Sequence, residues 1–295
     1  MKTKHLSPLL GSTVMKAKRL IVAVVLVCAA MLYAGTSSAA VTKIGYLSMQ
    51  NTTETSFTEV SDNWRTLKQS SVFSAGQLKT RVPVFFDSLM AMQMALNAGE
   101  IHEMSLPEVV AEYVMSMNDS YTILTVVRTL PVSLSFGFRK GDDPALLNSF
   151  NEALKAMDND GTLAILQKKY IADAGKNTPE PVKFEDFGKD AKTIKAAVTG
   201  DLPPIDYVEA DGQPAGFNTA ILAEVAKRLK INIELVNIES AARAASLASG
   251  RSDVVFWFMS FNGFGKQLDL PDDVAVSEPY YSWTEYLNLK LSNKK

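Results

Sequence analysis

The sequence predicts an α/β fold, because strand-like and helix-like segments alternate along most of the chain. Apolar runs such as 43–47, 82–86 and 193–198 are typical of strands, and the segments after them place apolar residues at helical spacing. Between two such stretches, residues 174–191 are rich in Gly, Pro and charge and are typical of a linker. Such alternation is typical of α/β proteins.

Before the linker, several helix ends can be placed from single residues. Asn51 and Glu54 fit a capping box that opens a first helix. Gly99 ends the helix that begins at Leu89, and Pro107 suits the first turn of the next one. In this stretch the predicted strands are 43–47, 82–86, 123–127 and 132–138, the predicted loop is 69–80, and the other predicted helices are 107–116, 144–156 and 161–171.

After the linker the same alternation starts again. Ile221, Leu222, Val225 and Leu229 fall on one helical face, which indicates a helix that packs on a sheet. In this stretch the predicted strands are 193–198, 231–236 and 253–259, and the predicted helices lie near 218–229 and 240–249.

The first forty residues have the three parts of a secretory signal peptide. A basic stretch at 16–19 precedes the apolar run 20–32, and small residues at 34–40 follow. The apolar run is shorter than the roughly 20 residues that a membrane span needs. We therefore predict an exported, periplasmic or extracellular protein. An uncleaved anchor and a lipoprotein modified at Cys28 are the alternatives. Met15 is a second candidate start, because the fourteen residues before it add little to the signal.

The composition excludes several classes of function. The chain has 30 basic and 32 acidic residues. Five basic and no acidic residues lie in the predicted signal peptide, so 25 basic and 32 acidic residues remain after its removal. Such a mildly acidic protein has no electrostatic reason to bind nucleic acid. Beyond the signal peptide the chain has no Cys and one His, His102, which excludes disulfides and most zinc sites. We expect no cofactor and no metal.

The part of the chain that follows the linker carries a recognisable order of motifs. It reads TIKAAVTGDLPPIDYVEADGQPAGFNTAILAEVAKRLKINIELVNI, then LASGRSDVVF, then SEPYY. In this order and spacing, residues 192–281 resemble the opening half of the polar amino-acid type of bacterial periplasmic solute-binding proteins. The resemblance implies the type II binding-protein fold, in which two lobes close on a ligand.

The part before the linker resembles the closing half of the same family. The matching text is ALNAGEIHEMSLPEVVAEYV and FGFRKGDDPALLNSFNEALKAMDNDGTLAILQKKYI, within residues 82–171. Both halves are present once but in reversed order, which we interpret as a circular permutation. Domain termini often lie close together, so a permutation costs little. A truncated tandem is the alternative, and it would leave two half-folds with uncovered sheets.

The resemblance also implies a division of the chain and a set of partners. The implied parts are a signal peptide at 1–40, the family's second lobe at 41–131, hinge strands at 132–138 and 284–291, and the other lobe at 139–283, in which 174–191 joins the family's natural termini. The implied partners are a small solute, an amino acid or a related compound, and a membrane ABC permease. We expect a monomer.

The resemblance places the ligand's carboxylate near Ser260 and its ammonium near Glu108. The Arg that the family uses for the carboxylate is missing from 259–266, where Lys266 is a point charge without the fork of Arg. The family's acidic position falls on Pro107, one residue before Glu108. A strand-end hydroxyl and a charge at a helix start are equally good interpretations of Ser260 and Glu108.

Four more residues are candidate ligand contacts. Strand alternation puts Trp257 on the face opposite to Phe258, so one of the two rings is available to stack on a ligand or cover a cation. Asp201 follows the strand 193–198, and Asn51 precedes a predicted helix whose free N–H groups favour an anion. Capping is the commonest role of such an Asn.

The sequence thus predicts a non-catalytic binding protein. A ligand-sensing domain and a dehydratase-like enzyme are alternatives on the same fold. Catalysis needs a matched acid and base, and nothing in the sequence pairs Glu108, Asp201, His102 and Lys266 convincingly.

Overall fold

The computed structural model describes residues 41–51, 81–176, 181–261 and 267–292. Thr42–Lys295 forms one compact unit. The predicted signal peptide, the body of the helix predicted after Asn51, the predicted loop 69–80 and the candidate Lys266 lie outside the described residues.

Strands and helices alternate through the described residues, which confirms the α/β class. In the first stretch the elements are β1 (Thr42–Leu47), β2 (Arg81–Phe86), α1 (Leu89–Asn97), β3 (Glu103–Pro107), α2 (Glu108–Met117), β4 (Tyr121–Arg139), α3 (Pro144–Asn159) and α4 (Thr162–Gln167), which continues as a π-helical turn (Lys168–Ala172). In the second they are β5 (Thr193–Val198), β6 (Tyr207–Val208), β7 (Pro214–Ala215), α5 (Phe217–Leu229), β8 (Asn232–Asn237), a 3₁₀ turn (Ser240–Ala242), α6 (Arg243–Ala248), β9 (Val254–Phe261), β10 (Val274–Val276) and β11 (Tyr281–Leu291).

One mixed sheet runs through the molecule in the strand order β2-β1-β3-β11-β4-β9-β5-β8, and β10 pairs with β4. It contains two parallel groups. β1 is parallel to β2 and β3, and β5 is parallel to β8 and β9. The antiparallel pair β4 and β11 lies between the two groups. We call 41–51 with 81–117 the first half, and 140–276, where described, the second half.

β4 is one strand of 19 residues, where the sequence predicted two. The break was expected between 127 and 132, around Pro131. The pairing with β11 has an irregularity at this point, between Trp283 and Glu285. A proline that lacks an N–H donor is tolerated at such a bulge, so the strand continues through it.

β3 was not predicted, because its polar residues interrupt the apolar pattern. Every residue of β3 is buried, including Glu103 and Ser105. The Glu103 carboxylate is held by the guanidinium of Arg81 and by the Asn288 amide, whose Nδ2 lies 2.8 Å from Oε2. These partners compensate the cost of burying its charge.

The core follows the sheet in a large cluster, with a smaller one beside it. A bulge in the β4–β9 ladder, between Ser135 and Gly137, interrupts strict alternation along β9. Phe256 and Trp257 therefore both lie in the large cluster and Phe258 in the small one. Strict alternation would put Phe256 and Phe258 on one face, and the bulge separates them. In the described part of the chain, no helix is long and apolar enough to cross a membrane.

Candidate functional site

The carboxyl ends of the parallel strands in the two halves face each other. Leu89, which follows β2, donates its backbone N–H to Asp201, which follows β5. Gln50, which follows β1, donates its N–H to Asp269 of the second half. Ligand crevices of α/β proteins lie at such edges. We call this boundary the seam and define it as residues 48–51, 87–89, 199–201, 238–244 and 267–270.

Asp201 is a carboxylate shared between the halves. Its Oδ2 accepts the hydroxyl of Ser240 at 2.5 Å, and its Oδ1 accepts the N–H of Leu89 at 3.3 Å. Leu89 begins α1, which Ser88 caps through a bond from Ala91. Burial raises the pKa of Asp201 above its ordinary value, against the effect of these two hydrogen bonds. Asp201 thus lies at the seam, where it bonds to both halves.

Asn51 also lies at the seam, but in a role that the sequence did not predict. Its backbone N–H donates to the carbonyl of Leu268 at 2.8 Å. Its side-chain Nδ2 donates to the carbonyls of Leu270 at 2.9 Å and Gln267 at 3.3 Å. The side chain therefore ties the first half to the backbone of the second.

Gln50 makes a second set of bonds across the seam. Its side-chain Nε2 donates to the carbonyl of Ser240 at 3.0 Å, and its Oε1 accepts the N–H of Ala244 at 3.2 Å. Its backbone N–H lies 3.1 Å from Oδ1 of Asp269. Sequence analysis missed Gln50, because nothing in the pattern distinguishes it from an ordinary loop residue.

The seam contains a fully buried ion pair between Arg243 and Asp269. The guanidinium of Arg243 meets the carboxylate of Asp269 through two bonds of 2.6 and 2.8 Å, and neither side chain is exposed. Arg243 also donates to the carbonyls of Ser240 and Trp257, each at 2.9 Å. Asp269 accepts the N–H of Met259 at 2.8 Å. The sequence feature that could have indicated this pair is a single Arg in the predicted helix 240–249, whose other side chains are small or apolar.

Trp257 and Phe258 are fully buried. The Cζ atom of Arg243 lies 3.5 Å from the Trp257 ring centroid and 4.9 Å from that of Phe258. The cation that these rings cover is thus the protein's own Arg243. Neither ring has exposed surface for a solute in this structure. One of these rings was predicted to be available to a ligand; in this structure both are buried, Trp257 in the large cluster and Phe258 in the small one.

Asp206 is a buried carboxylate behind Trp257. Its Oδ2 accepts the hydroxyl of Thr199 at 2.8 Å and the indole N–H of Trp257 at 3.1 Å. Its Oδ1 finds no hydrogen-bond partner among the described residues. Burial raises the pKa of Asp206 to about 6, so this carboxyl titrates near neutrality.

Glu108, the candidate ammonium anchor, begins α2. Burial, then the charges of Glu112 and Glu285, raise the pKa of its carboxyl. Burial, and after it the charge of Glu108, raise the pKa of Tyr281 to about 12. Tyr281 begins β11. Ser260 pairs with Ser133 in the β4–β9 ladder. The structure thus places Asp201 and Asn51 in direct bonds across the seam, Glu108 beside Tyr281, and Ser260 near the end of β9.

A groove of about 270 Å³ lies beside α2, between Val109, Glu112 and Tyr113 on one wall and residues 171–176 on the other. The rings of Tyr113, which lines this groove, and Tyr207 have their centroids 6.0 Å apart.

No group of three or more His, Cys, Asp or Glu residues suited to a metal ion occurs in the described part of the chain.

One family of known proteins matches the part of the chain that follows the linker. Residues 194–293 match the family of bacterial extracellular solute-binding proteins, family 3. The chain resembles this family over the segment from β5 to β11, which is about a third of its length. The matched family is one of solute-binding proteins, the class that the sequence predicted for this chain.

The matches among solved structures are distant. The zinc-bound ligand-binding component of an ABC-type import system from Staphylococcus aureus is 14% identical with a TM-score of 0.44, over 85% of this chain and 66% of that one. The regulator CbnR, solved with its target DNA, is 10% identical with a TM-score of 0.39, over 100% and 78%. The aliphatic sulphonate-binding protein SsuA from Escherichia coli is 13% identical with a TM-score of 0.38, over 86% and 66%. These scores carry no conclusion about a ligand. The comparison with curated proteins gave no match.

Proposed function

We propose that this chain is an exported solute-binding protein that holds a small polar solute, an amino acid or a related compound, at the seam and delivers it to a membrane ABC permease. One observation carries this proposal: the carboxyl edges of two parallel strand groups face each other with polar groups between them. Asp201 and Ser240 from one half and the Leu89 N–H from the other converge there. A few convergent polar groups at such an edge are what a small-molecule site requires.

The strands between the halves support a hinge. In the described part of the chain, β4 and the segment that leads into β11 connect the two parallel groups, and the two strands pair along most of their length. Bending of two such connections opens and closes a crevice without unfolding either half. The assignment of 132–138 and 284–291 as hinge strands, and of the halves as permuted lobes, belongs to this proposal.

The candidate contacts imply the chemistry of the solute. Arg243 is already neutralised by Asp269, so it offers no free charge for a solute carboxylate. Glu108 lies close enough to Glu112 and Glu285 for their charges to raise its pKa, and this acidic neighbourhood favours a cationic group. We therefore propose that Glu108 and Asp201 meet a positively charged part of the solute, with Ser260 and Lys266 as candidate partners of its polar end.

A screen by thermal shift tests the function directly. Amino acids, polyamines and organic acids are added to the protein, and a solute that binds only the native state raises its melting temperature. Calorimetry then compares Asp201→Asn and Glu108→Gln with the exposed control Glu100→Gln against the best solute. We expect both site variants to weaken binding at least about tenfold, or about 1.4 kcal/mol, and the control to bind as the parent does. No thermal shift with any solute would refute the proposal.

A further inference from the structure

The side-chain amide of Gln50 occupies a position whose hydrogen bonds fix its orientation. The Ser240 carbonyl only accepts and the Ala244 N–H only donates, so the amide nitrogen must face the first at 3.0 Å and the oxygen the second at 3.2 Å. A group that fills this position needs an N–H donor and an oxygen acceptor bonded to one carbon atom. A primary carboxamide has this arrangement.

The position is held rigidly by its surroundings. The carbonyl of Ser240 also accepts Nε of Arg243 at 2.9 Å, and the hydroxyl of Ser240 is bonded to Asp201. Ser240 is 1% exposed and Arg243 is fully buried. Ser240 is therefore held through both its carbonyl and its hydroxyl by partners other than Gln50.

A charged occupant would leave one hydrogen-bonding partner of the position unsatisfied. Asp201 lies on the Ser240 hydroxyl, and Asp269 lies 3.1 Å from the Gln50 backbone N–H. A carboxylate in place of the amide would lack an N–H for the Ser240 carbonyl and would add a negative charge near these two. An ammonium would lack an acceptor for the Ala244 N–H. A neutral amide satisfies both partners.

Gln50 comes from the half opposite to its partners, so the occupied position lies between the halves. Its backbone and that of Asn51 continue the same set of bonds to Asp269 and Leu268. The seam therefore holds an amide supplied by the chain itself, at the edge where the proposed solute binds.

We propose that residues 240–244 form a carboxamide-binding position of the seam, that Gln50 fills it as an internal competitor, and that a solute bearing a primary carboxamide takes its place when the halves part. The statement about the solute rests on the proposed function. The statement about the position does not, and it has its own test.

Replacement of Gln50 by Ala removes a fragment that has the size of acetamide. We expect Gln50→Ala to lower the melting temperature and added acetamide to restore part of the loss, with a dose-dependent rise of about 2 °C or more. Acetate should restore nothing, because it has no N–H for the Ser240 carbonyl. The matched control is Gln213→Ala, the same truncation at an exposed position.

Rescue of Gln50→Ala by acetamide beyond its effect on the parent chain and on Gln213→Ala supports the proposal. Equal shifts in all three proteins, no shift in any, or equal rescue by acetate overturn it. If Gln50→Ala does not fold, Gln50→Glu decides. The introduced carboxylate should cost stability at neutral pH and regain it when protonated at low pH, and a pH-independent effect contradicts the proposal.

The solute is tested with two matched pairs, glutamine against glutamate and asparagine against aspartate. Calorimetry should show at least about tenfold tighter binding of an amide member to Gln50→Ala than to the parent chain, because the competitor is gone. Acetamide rescue together with no binding of any solute would refute the proposed function and leave the position standing. Tighter binding of the acidic members would overturn the assignment of the solute class.

Discussion

The guanidinium of Arg243 lies against the ring of Trp257 while it holds both oxygens of Asp269, and none of the three side chains is exposed. A buried charge of this kind is tolerated only when its partners satisfy it fully. Arg243 bonds to two carbonyls and one carboxylate, so its donors have acceptors on three sides. The pair therefore ties residues 238–244 of the seam to residues 267–270.

The first prediction concerns loss of this pair. Asp269→Asn leaves the Arg243 charge buried without a counter-ion, so we expect the free energy of unfolding to fall by about 3–5 kcal/mol. Urea unfolding measures it. The control is Asp142→Asn, which breaks the exposed pair with Arg139 and should cost less than about 1 kcal/mol. A similar cost for both variants would contradict the importance of burial here.

The second prediction is a pH dependence that originates in Asp206. Its pKa is raised by burial from 3.8 to about 6, so the folded chain binds this proton more tightly than the unfolded chain does. The resulting stabilisation is fully present below pH 3.8 and is lost as the pH rises through about 6. A shift of this size corresponds to about 3 kcal/mol.

Asp206→Asn isolates that effect. The introduced amide oxygen still accepts the bonds of Thr199 and Trp257, but the side chain no longer titrates. We expect the unfolding free energy of the parent chain to fall between pH 4 and pH 7 relative to that of the variant, by about 3 kcal/mol. Parallel pH profiles for the two proteins would show that Asp206 does not titrate in this range.

The third prediction uses a close approach in the core. A Cβ atom at Gly137 would lie 2.3 Å from two ring atoms of Phe258, so Gly137→Ala forces this ring to move. We expect a loss of about 1–3 kcal/mol in thermal or urea unfolding. The loss should be smaller when Phe258→Leu is also present, because the flat ring is gone. Equal losses in both backgrounds would place the strain elsewhere.

The elements that could be predicted from sequence are those whose pattern is local. Strand β5 has the predicted bounds 193–198, and α5 differs from its predicted start by one residue, because apolar spacing alone determines them. β3 was missed, since Glu103 looks exposed until Arg81 and Asn288 are brought to it from distant parts of the chain.

The site was less predictable than the fold for the same reason. Asp201 could be placed from sequence because it directly follows a strand whose carboxyl end is a standard ligand edge. Gln50 and Arg243 could not, because their importance comes from partners in the other half or across α6 and β9. Trp257 and Phe258 are both buried in the core, and this burial depends on the elements packed on the two faces of the sheet, which the strand's own sequence does not reveal.

The last prediction concerns β11, which joins the two parallel groups. It pairs with β3 through Tyr286–Leu289 and with β4 along most of its length, and Leu287 and Leu289 are buried in the core. Each such leucine contributes about 1.5–3 kcal/mol, and loss of the strand also leaves two ladders unpaired. These losses approach the about 5–15 kcal/mol that keeps a domain folded.

We therefore expect a chain that ends at Trp283 to lose cooperative unfolding by circular dichroism and most of its soluble yield. A chain that ends at Ser292 keeps every paired residue of β11 and should unfold as the full chain does. The comparison separates the effect of the strand from that of a shortened terminus. A sharp transition in the chain that ends at Trp283 would show that β3 and β4 can be held together without β11, and the hinge proposed for this pair of strands would then be wrong.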